Sequence, residues 1–270
     1  MTAPRLASTL ARLKSDPALA GLRRSLDVYY GDDARDLAMD SLYGRFFADV
    51  TPRNRLAFDI GSHVGDRIAS FRRHGARVIA LEPQPDCARV IREIYCCDGA
   101  VTLEESACGP RPGTLTLHIN SLNPTVSTAS REFVAAADGA GGWEGQVWDR
   151  AIEVPVTTLD ALIARHGKPA FIKIDVEGFE ADVLAGLTQQ VPALSFEFTT
   201  IQRDVATQCL ARLAEIGPYR FDLSLGESHQ LQLGRFVSAE EMGDHIARLP
   251  HAANSGDVYA VLDMSESAAE

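Results

Sequence analysis

The sequence predicts an α/β fold: a doubly wound, mostly parallel sheet covered by helices on both faces. Three observations carry that prediction. From Arg55 onward, short apolar runs alternate with amphipathic stretches, the pattern of strands that must each be crossed over by a helix. The run Leu56-Ala57-Phe58-Asp59-Ile60 passes directly into Gly61-Ser62-His63-Val64-Gly65-Asp66, a glycine turn that opens a helix. The next run, Val78-Ile79-Ala80-Leu81, stops at an acid, Glu82.

Taken in order, the first fifty residues form an amino-terminal helical extension. Leu6, Leu10 and Leu13 recur at i, i+4, i+7, and Met39, Leu42 and Phe46 at i, i+3, i+7, with breaks at Asp16-Pro17 and Tyr30-Gly31-Asp32. A single domain is expected over 51-265, with strands at 55-60, 77-82, 101-107, 171-175 and 193-198. The helices between them carry one-face apolar stripes such as Val90, Ile91 and Ile94, or Val205, Cys209, Leu213 and Ile216. An insertion, 110-157, separates the third strand from the fourth. It contains two alternating segments, 114-119 and 152-156, that read as an inserted hairpin. The stretch between them holds a glycine-rich run at 139-142 and both tryptophans, and is expected as a long loop acting as a substrate lid. Two strand-like pieces follow Pro218, then a helix with Met242, Ile246 and Leu249 on one face, and a closing strand at 257-263.

Composition narrows the function. With 37 acidic and 26 basic side chains the net charge is −11, which disfavours nucleic acid and anionic lipid as partners because both attract Lys and Arg. No apolar run approaches the ~20 residues of a membrane span, and Arg5, Arg12 and Lys14 interrupt the segment a signal peptide would need, so a cytoplasmic location is expected. The five cysteines, Cys87, Cys96, Cys97, Cys108 and Cys209, show no Cys-x-x-Cys spacing and are expected as buried free thiols.

The glycine turn and Glu82 together describe an adenosine site. In a doubly wound sheet adjacent strand ends meet at the ligand crevice, where an acid can accept hydrogen bonds from ribose hydroxyls. A nicotinamide dinucleotide would need Gly-x-Gly-x-x-Gly, but His63 and Asp66 occupy the second and third glycine positions. Asp59, just before the loop, would repel a pyrophosphate and suit the sulfonium and ammonium of S-adenosylmethionine.

Four segments in succession resemble the signatures of the FkbM family of S-adenosylmethionine-dependent methyltransferases: Asp59 to Gly65, Leu81-Glu82-Pro83, Val154 to Asp160, and Ile172-Lys173-Ile174-Asp175-Val176-Glu177-Gly178-Phe179-Glu180. The resemblance spans about 55-200. It implies a class I methyltransferase fold, Rossmann-like, with a seven-stranded sheet whose last strand is antiparallel, and transfer of methyl to hydroxyl oxygens of small-molecule, sugar, glycan or secondary-metabolite acceptors. His63 departs from the asparagine common there. Donor contacts are expected from Asp59, Gly61, Ser62, His63, Gly65, Glu82, Pro83 and Asp175, with Glu105 and Ser106 lining the adenine as the resemblance implies.

An alcohol gives up its proton about as reluctantly as water, whose pKa is ~15.7, so a base is needed beside the donor methyl. Asp175, closing an apolar strand, ranks first; its alternative role is to cap the next helix. Glu177 follows, as a base or an anchor for the methionine amino group. His63, with an ordinary pKa of ~6.5, is a third candidate, as a proton shuttle. Glu197, Asn123, Trp143 and Trp148 are candidate acceptor contacts. Asp175, Glu177 and Glu197 have the oxygen ligands that suit Mg²⁺, but nothing in their spacing demands a cation, and no metal is expected. Competing readings are a non-catalytic nucleotide- or glycan-binding module, an N-methyltransferase, and, disfavoured by the missing glycines, a nicotinamide oxidoreductase. Oligomeric state stays open, since the amino-terminal helices fit either covering the site or packing on a second copy of the chain as a homo-oligomer.

Overall fold

The computed structural model describes residues 3–263. Three helices lead the chain: α1 (Ala3–Ser15), α2 (Arg23–Tyr29) and α3 (Asp33–Phe47). The α3 start is fixed by Asp32, whose Oδ1 accepts the Ala34 and Arg35 amides, each at 3.0 Å. Then come β1 (Leu56–Ile60), α4 (Asp66–Arg73), β2 (Arg77–Leu81), α5 (Pro85–Tyr95), β3 (Val101–Glu104) and the two-residue β4 (Ala107–Cys108). The insertion supplies β5 (Gly113–Ile119), α6 (Arg131–Ala137) and β6 (Arg150–Thr157). The remainder is α7 (Leu159–His166), β7 (Phe171–Ile174), α8 (Glu180–Ala185), β8 (Ala193–Thr199), α9 (Arg203–Ile216), β9 (Tyr219–Leu225), α10 (Ala239–Arg248) and β10 (Ser255–Leu262).

Among the described residues the main sheet has seven strands in the order β3-β2-β1-β7-β8-β10-β9, and β10 is antiparallel to both neighbours. This is the class I methyltransferase order with the reversed last strand. Strand order turns back between β1 and β7, so the ends of β1, β2 and β7 surround one crevice. Alternation divides the core. Phe58, Ile60, Ile172, Ile174, Leu194 and Phe196 pack on one face with residues of α7 to α10. Ala57, Val78, Phe171, Ala193 and Tyr259 pack on the other with Met39, Tyr43 and Phe47 of α3 and Ile68 and Phe71 of α4. Each large side chain buried this way contributes about 1.5–3 kcal/mol.

The apolar faces of α1 and α2 are covered within the chain, where Leu10, Leu13, Leu22 and Leu26 pack on Val64, Val90 and Ile94. The three-stranded sheet β4-β6-β5 carries the hairpin read from alternation.

Three expectations need correcting. The stretch between β5 and β6 is not structureless: Ser130 caps α6 by accepting the Phe133 amide, and Val126, Phe133, Ala137 and Trp143 form a separate small core. After Pro218 one strand-like piece is β9, but the other is reduced to a single bridge between Phe221 and Val237. Cys87, Cys108 and Cys209 are buried, whereas Cys96 and Cys97 are exposed, because α5 has ended and they lie beside the Arg5 guanidinium. No described helix is long and apolar enough to cross a membrane.

Candidate active site

The ends of β1, β2 and β7 open into a cleft. Its first wall is the glycine turn. Gly61 and Ser62 both donate their amides to the Leu81 carbonyl, at 3.0 and 2.9 Å, which ties the turn to β2. Gly61 has φ 77°, and a Cβ there would collide with the Asp175 carbonyl oxygen, so only glycine fits. His63 also takes a left-handed conformation, φ 48°, a strain of order 1–3 kcal/mol. Glu82 holds the turn from the side chain: its carboxylate accepts the His63 amide at 2.7 Å and the Gln84 amide at 2.8 Å. Burial pushes the Glu82 carboxyl up to about 7 despite those two bonds. Burial lowers His63 to about 4, so its ring is neutral near pH 7 and makes an edge contact with Tyr29.

The opposite wall is made of residues at the end of β7 and in the turn after it, Asp175 and Glu177 among them. Lys173, in the middle of the apolar β7, donates to the Gly61 carbonyl at 2.9 Å and lies 3.0 Å from Asp175 Oδ2 and 3.8 Å from Asp59 Oδ1. Asp175 is partly open to the cleft, its side chain 29% exposed. Glu177 follows in a left-handed conformation, φ 56°, with its carbonyl accepting the Thr128 hydroxyl at 2.6 Å. Glu177 is nearly sealed from solvent, and burial next to Asp175 and Glu180 drives its carboxyl well above the usual range. Asp175 does not cap α8, whose N-cap Phe179 makes no side-chain cap bond; Glu180 Oε1 instead braces the turn before the helix, accepting the Val176 amide at 2.9 Å and the Gly178 amide at 3.3 Å.

Gly61, Ser62, His63, Glu82, Pro83, Ser106, Asp175 and Glu177 line this cleft together. Other expected contacts lie elsewhere. Asp59 is fully buried behind the turn with neither oxygen hydrogen-bonded, so its charge faces Lys173 rather than open space. Gly65 caps α4 and gives its carbonyl to the Tyr95 hydroxyl at 2.6 Å. Glu105 points outward to an exposed ion pair with Arg92. Glu197 lies behind the carboxylate wall, in a small recess with Gly178 and Gln202. Asn123 donates to Gln146 at 3.2 Å and borders a separate shallow groove with Tyr29. Trp143 packs edge-on against Phe133 in the insertion's core, and Trp148 donates to the Val126 carbonyl at 2.8 Å. Neither tryptophan lines the cleft.

Sequence reasoning missed Lys173, Tyr29, Arg67 and Glu227 as cleft residues. Lys173 had a signal, a lone cation inside an apolar strand. Arg67 and Glu227 did not: they meet across 160 residues, at 2.9 Å, in a buried network that also joins Arg35 to Asp66 at 3.0 Å.

Similarity to known proteins agrees with this geometry. The family described as "Methyltransferase FkbM domain" matches residues 59–219, more than half of the chain. The chain is 25% identical over 183 residues to the hexuronic acid methyltransferase AglP of Haloferax volcanii, covering 66% of this chain and 69% of that protein. Among solved structures it is similar to a precorrin-6y C5,15-methyltransferase from Geobacter metallireducens GS-15 (TM-score 0.41, 13% identity, 86% of this chain and 88% of that one). It is also similar to the plantazolicin methyltransferase BamL, solved in complex with a triazolic desmethylPZN analog and SAH (TM-score 0.45, 8% identity, 96% of this chain and 97% of that one). With a match over the glycine turn, the acid after β2 and the Asp-Val-Glu-Gly turn after β7, the chain belongs to the FkbM family of S-adenosylmethionine-dependent methyltransferases.

Proposed function

We propose that the chain transfers methyl from S-adenosylmethionine to a hydroxyl oxygen of a small molecule, with sugar acids as the foremost acceptor class. The observation that carries the oxygen assignment is Asp175, a partly open carboxylate on the cleft wall steadied by Lys173 at 3.0 Å. An amine attacks through its free lone pair, whereas a hydroxyl needs a nearby group to take its proton. Asp175 is assigned that role. The name of the AglP relative supports sugar acids.

The lining residues fit the donor. Glu82 has lone pairs left for ribose hydroxyls beyond the two amides it accepts. Ser106 Oγ is buried and lacks a partner, a polar atom that a purine ring would satisfy. When bound, the sulfonium supplies an already electrophilic methyl. The chain's own contribution is alignment, which can amount to ~7–11 kcal/mol, and removal of one proton at the acceptor oxygen. Residues 51-265 act as one catalytic domain in this reading, and the 110-157 insertion covers the acceptor through Thr125 and Ser127, which border the cleft.

The test is a panel of uronic acids, neutral sugars and primary amines incubated with donor, read as S-adenosylhomocysteine release and as the added methylene in the product mass. Oxygen methylation of a uronic acid is expected. Methylation confined to amines overturns the oxygen assignment, and donor binding without any product across the panel identifies a binding module instead.

A further inference from the structure

We infer that Asp175, Glu177 and Glu197 form a divalent-cation site of the Mg²⁺ and Mn²⁺ class, between the donor cleft and the recess behind it. The backbone brings the three together. β7 and β8 are parallel with Lys173 opposite Ser195, so Asp175 and Glu197, two residues further on, emerge side by side from the same face. The left-handed turn at Glu177 and Gly178 folds the third carboxylate back over them. One oxygen from each lies within 4.8 Å of the others.

Lys173 pairs with Asp175, but among the described residues no cation pairs with Glu177 or Glu197. Glu177 is 7% exposed and no donor reaches its carboxylate, while Glu197 Oε2 is buried without a partner. Among the described residues, Lys173 is the one cationic side chain within 4 Å of any of the three, and it is committed to Asp175. Buried like charges this close need a proton or a cation between them. Gln202 adds a neutral oxygen: its Oε1 is buried and unpartnered, in the recess that Glu197 and Gly178 also line.

The donor set is all oxygen, which selects Mg²⁺, Mn²⁺ or Ca²⁺ over Zn²⁺. On Mg²⁺ adjacent ligand oxygens stand roughly 3.0 Å apart and opposed ones roughly 4.2 Å, so three oxygens within 4.8 Å of one another close on one ion if they draw together by up to about 2 Å. An ion there would hold the acceptor oxygen and make its proton easier to remove. That role rests on the proposed oxygen transfer; the ion site does not.

The test is a Mn²⁺ titration of the full chain by electron paramagnetic resonance, with and without S-adenosylhomocysteine, which needs no acceptor. One bound Mn²⁺ with a dissociation constant below about 1 mM is expected, displaced by Mg²⁺ and weakened at least about tenfold in E197Q. Calorimetry with S-adenosylhomocysteine certifies that E197Q is folded, and if it is not, the wild-type titration alone decides. Absence of bound Mn²⁺ at about 1 mM overturns the site, as does unchanged affinity in a folded E197Q. Displacement of Mn²⁺ by S-adenosylhomocysteine overturns it too, assigning the carboxylates to the donor's ammonium. An inactive acceptor panel with Mn²⁺ bound would instead defeat the oxygen-transfer reading and leave the ion site standing.

Discussion

The two walls of the cleft handle negative charge in opposite ways. On the β1–β2 wall, Glu82 is buried but its carboxylate accepts two backbone amides, so the wall is complete within the chain. On the β7 side, Glu177 on the wall and Glu197 behind it are held as close neighbours, and among the described residues no donor reaches the Glu177 carboxylate or Glu197 Oε2. The first wall is held by main-chain amides that tie the glycine turn to β2 and to Glu82. The second carries unbalanced charge, and its final arrangement depends on what arrives. Lys173 joins them, touching the Gly61 carbonyl of one wall and Asp175 of the other.

Removing that link should break the comparison altogether. Lys173→Ala leaves buried Asp59 without its nearest cation and Asp175 without its partner, and should cost about 3–5 kcal/mol in urea unfolding. A loss below 1 kcal/mol would mean the two walls are held together by packing alone.

A change confined to the first wall should leave the second intact. Glu82→Gln should weaken S-adenosylhomocysteine binding by about 1–3 kcal/mol, read by calorimetry, with stability measured alongside. The wild-type pH dependence has a definite sign. Burial raises the Glu82 carboxyl to about 7, and ribose hydroxyls donate best to the ionised form, so affinity should rise about tenfold from pH 6 to pH 8 and fall away below. The Gln variant should show a flatter profile; an equal rise there would trace the effect to another group.

The smallest effect belongs to His63. Asparagine tolerates the left-handed conformation at this position, and the imidazole, lowered to about 4, is neutral near pH 7. His63→Asn should therefore change donor affinity by less than about 1 kcal/mol and leave the pH profile above 5 unchanged. A larger change would give the imidazole a part in the donor wall that its neutral state does not predict.

Legibility in the sequence follows the same division. The first wall is local: a strand, a glycine turn and an acid at the next strand end all leave marks in a short stretch, and the turn from Gly61 to His63, with Glu82, is found lining the cleft. Asp175 and Glu177 were visible for the same reason, since they close β7. Asp59 was readable as an acid near the turn but not as one turned inward, because strand alternation alone does not say which face Lys173 occupies. Glu105 and Ser106 are adjacent and look equivalent, yet only Ser106 reaches the cleft while Glu105 pairs with Arg92 outside. The tryptophans were legible as aromatic and not as packed, because their partners Phe133 and Val126 come from a helix and a turn that leave little periodic trace. The network of Arg35, Asp66, Arg67 and Glu227 was invisible, being assembled from three separate parts of the chain.

The insertion has its own hydrophobic centre in Val126, Phe133, Ala137 and Trp143, and yet contributes Thr125 and Ser127 to the cleft rim. It is also tied to the carboxylate turn, where the Thr128 hydroxyl donates to the Glu177 carbonyl at 2.6 Å, so a change in its packing reaches the turn after β7.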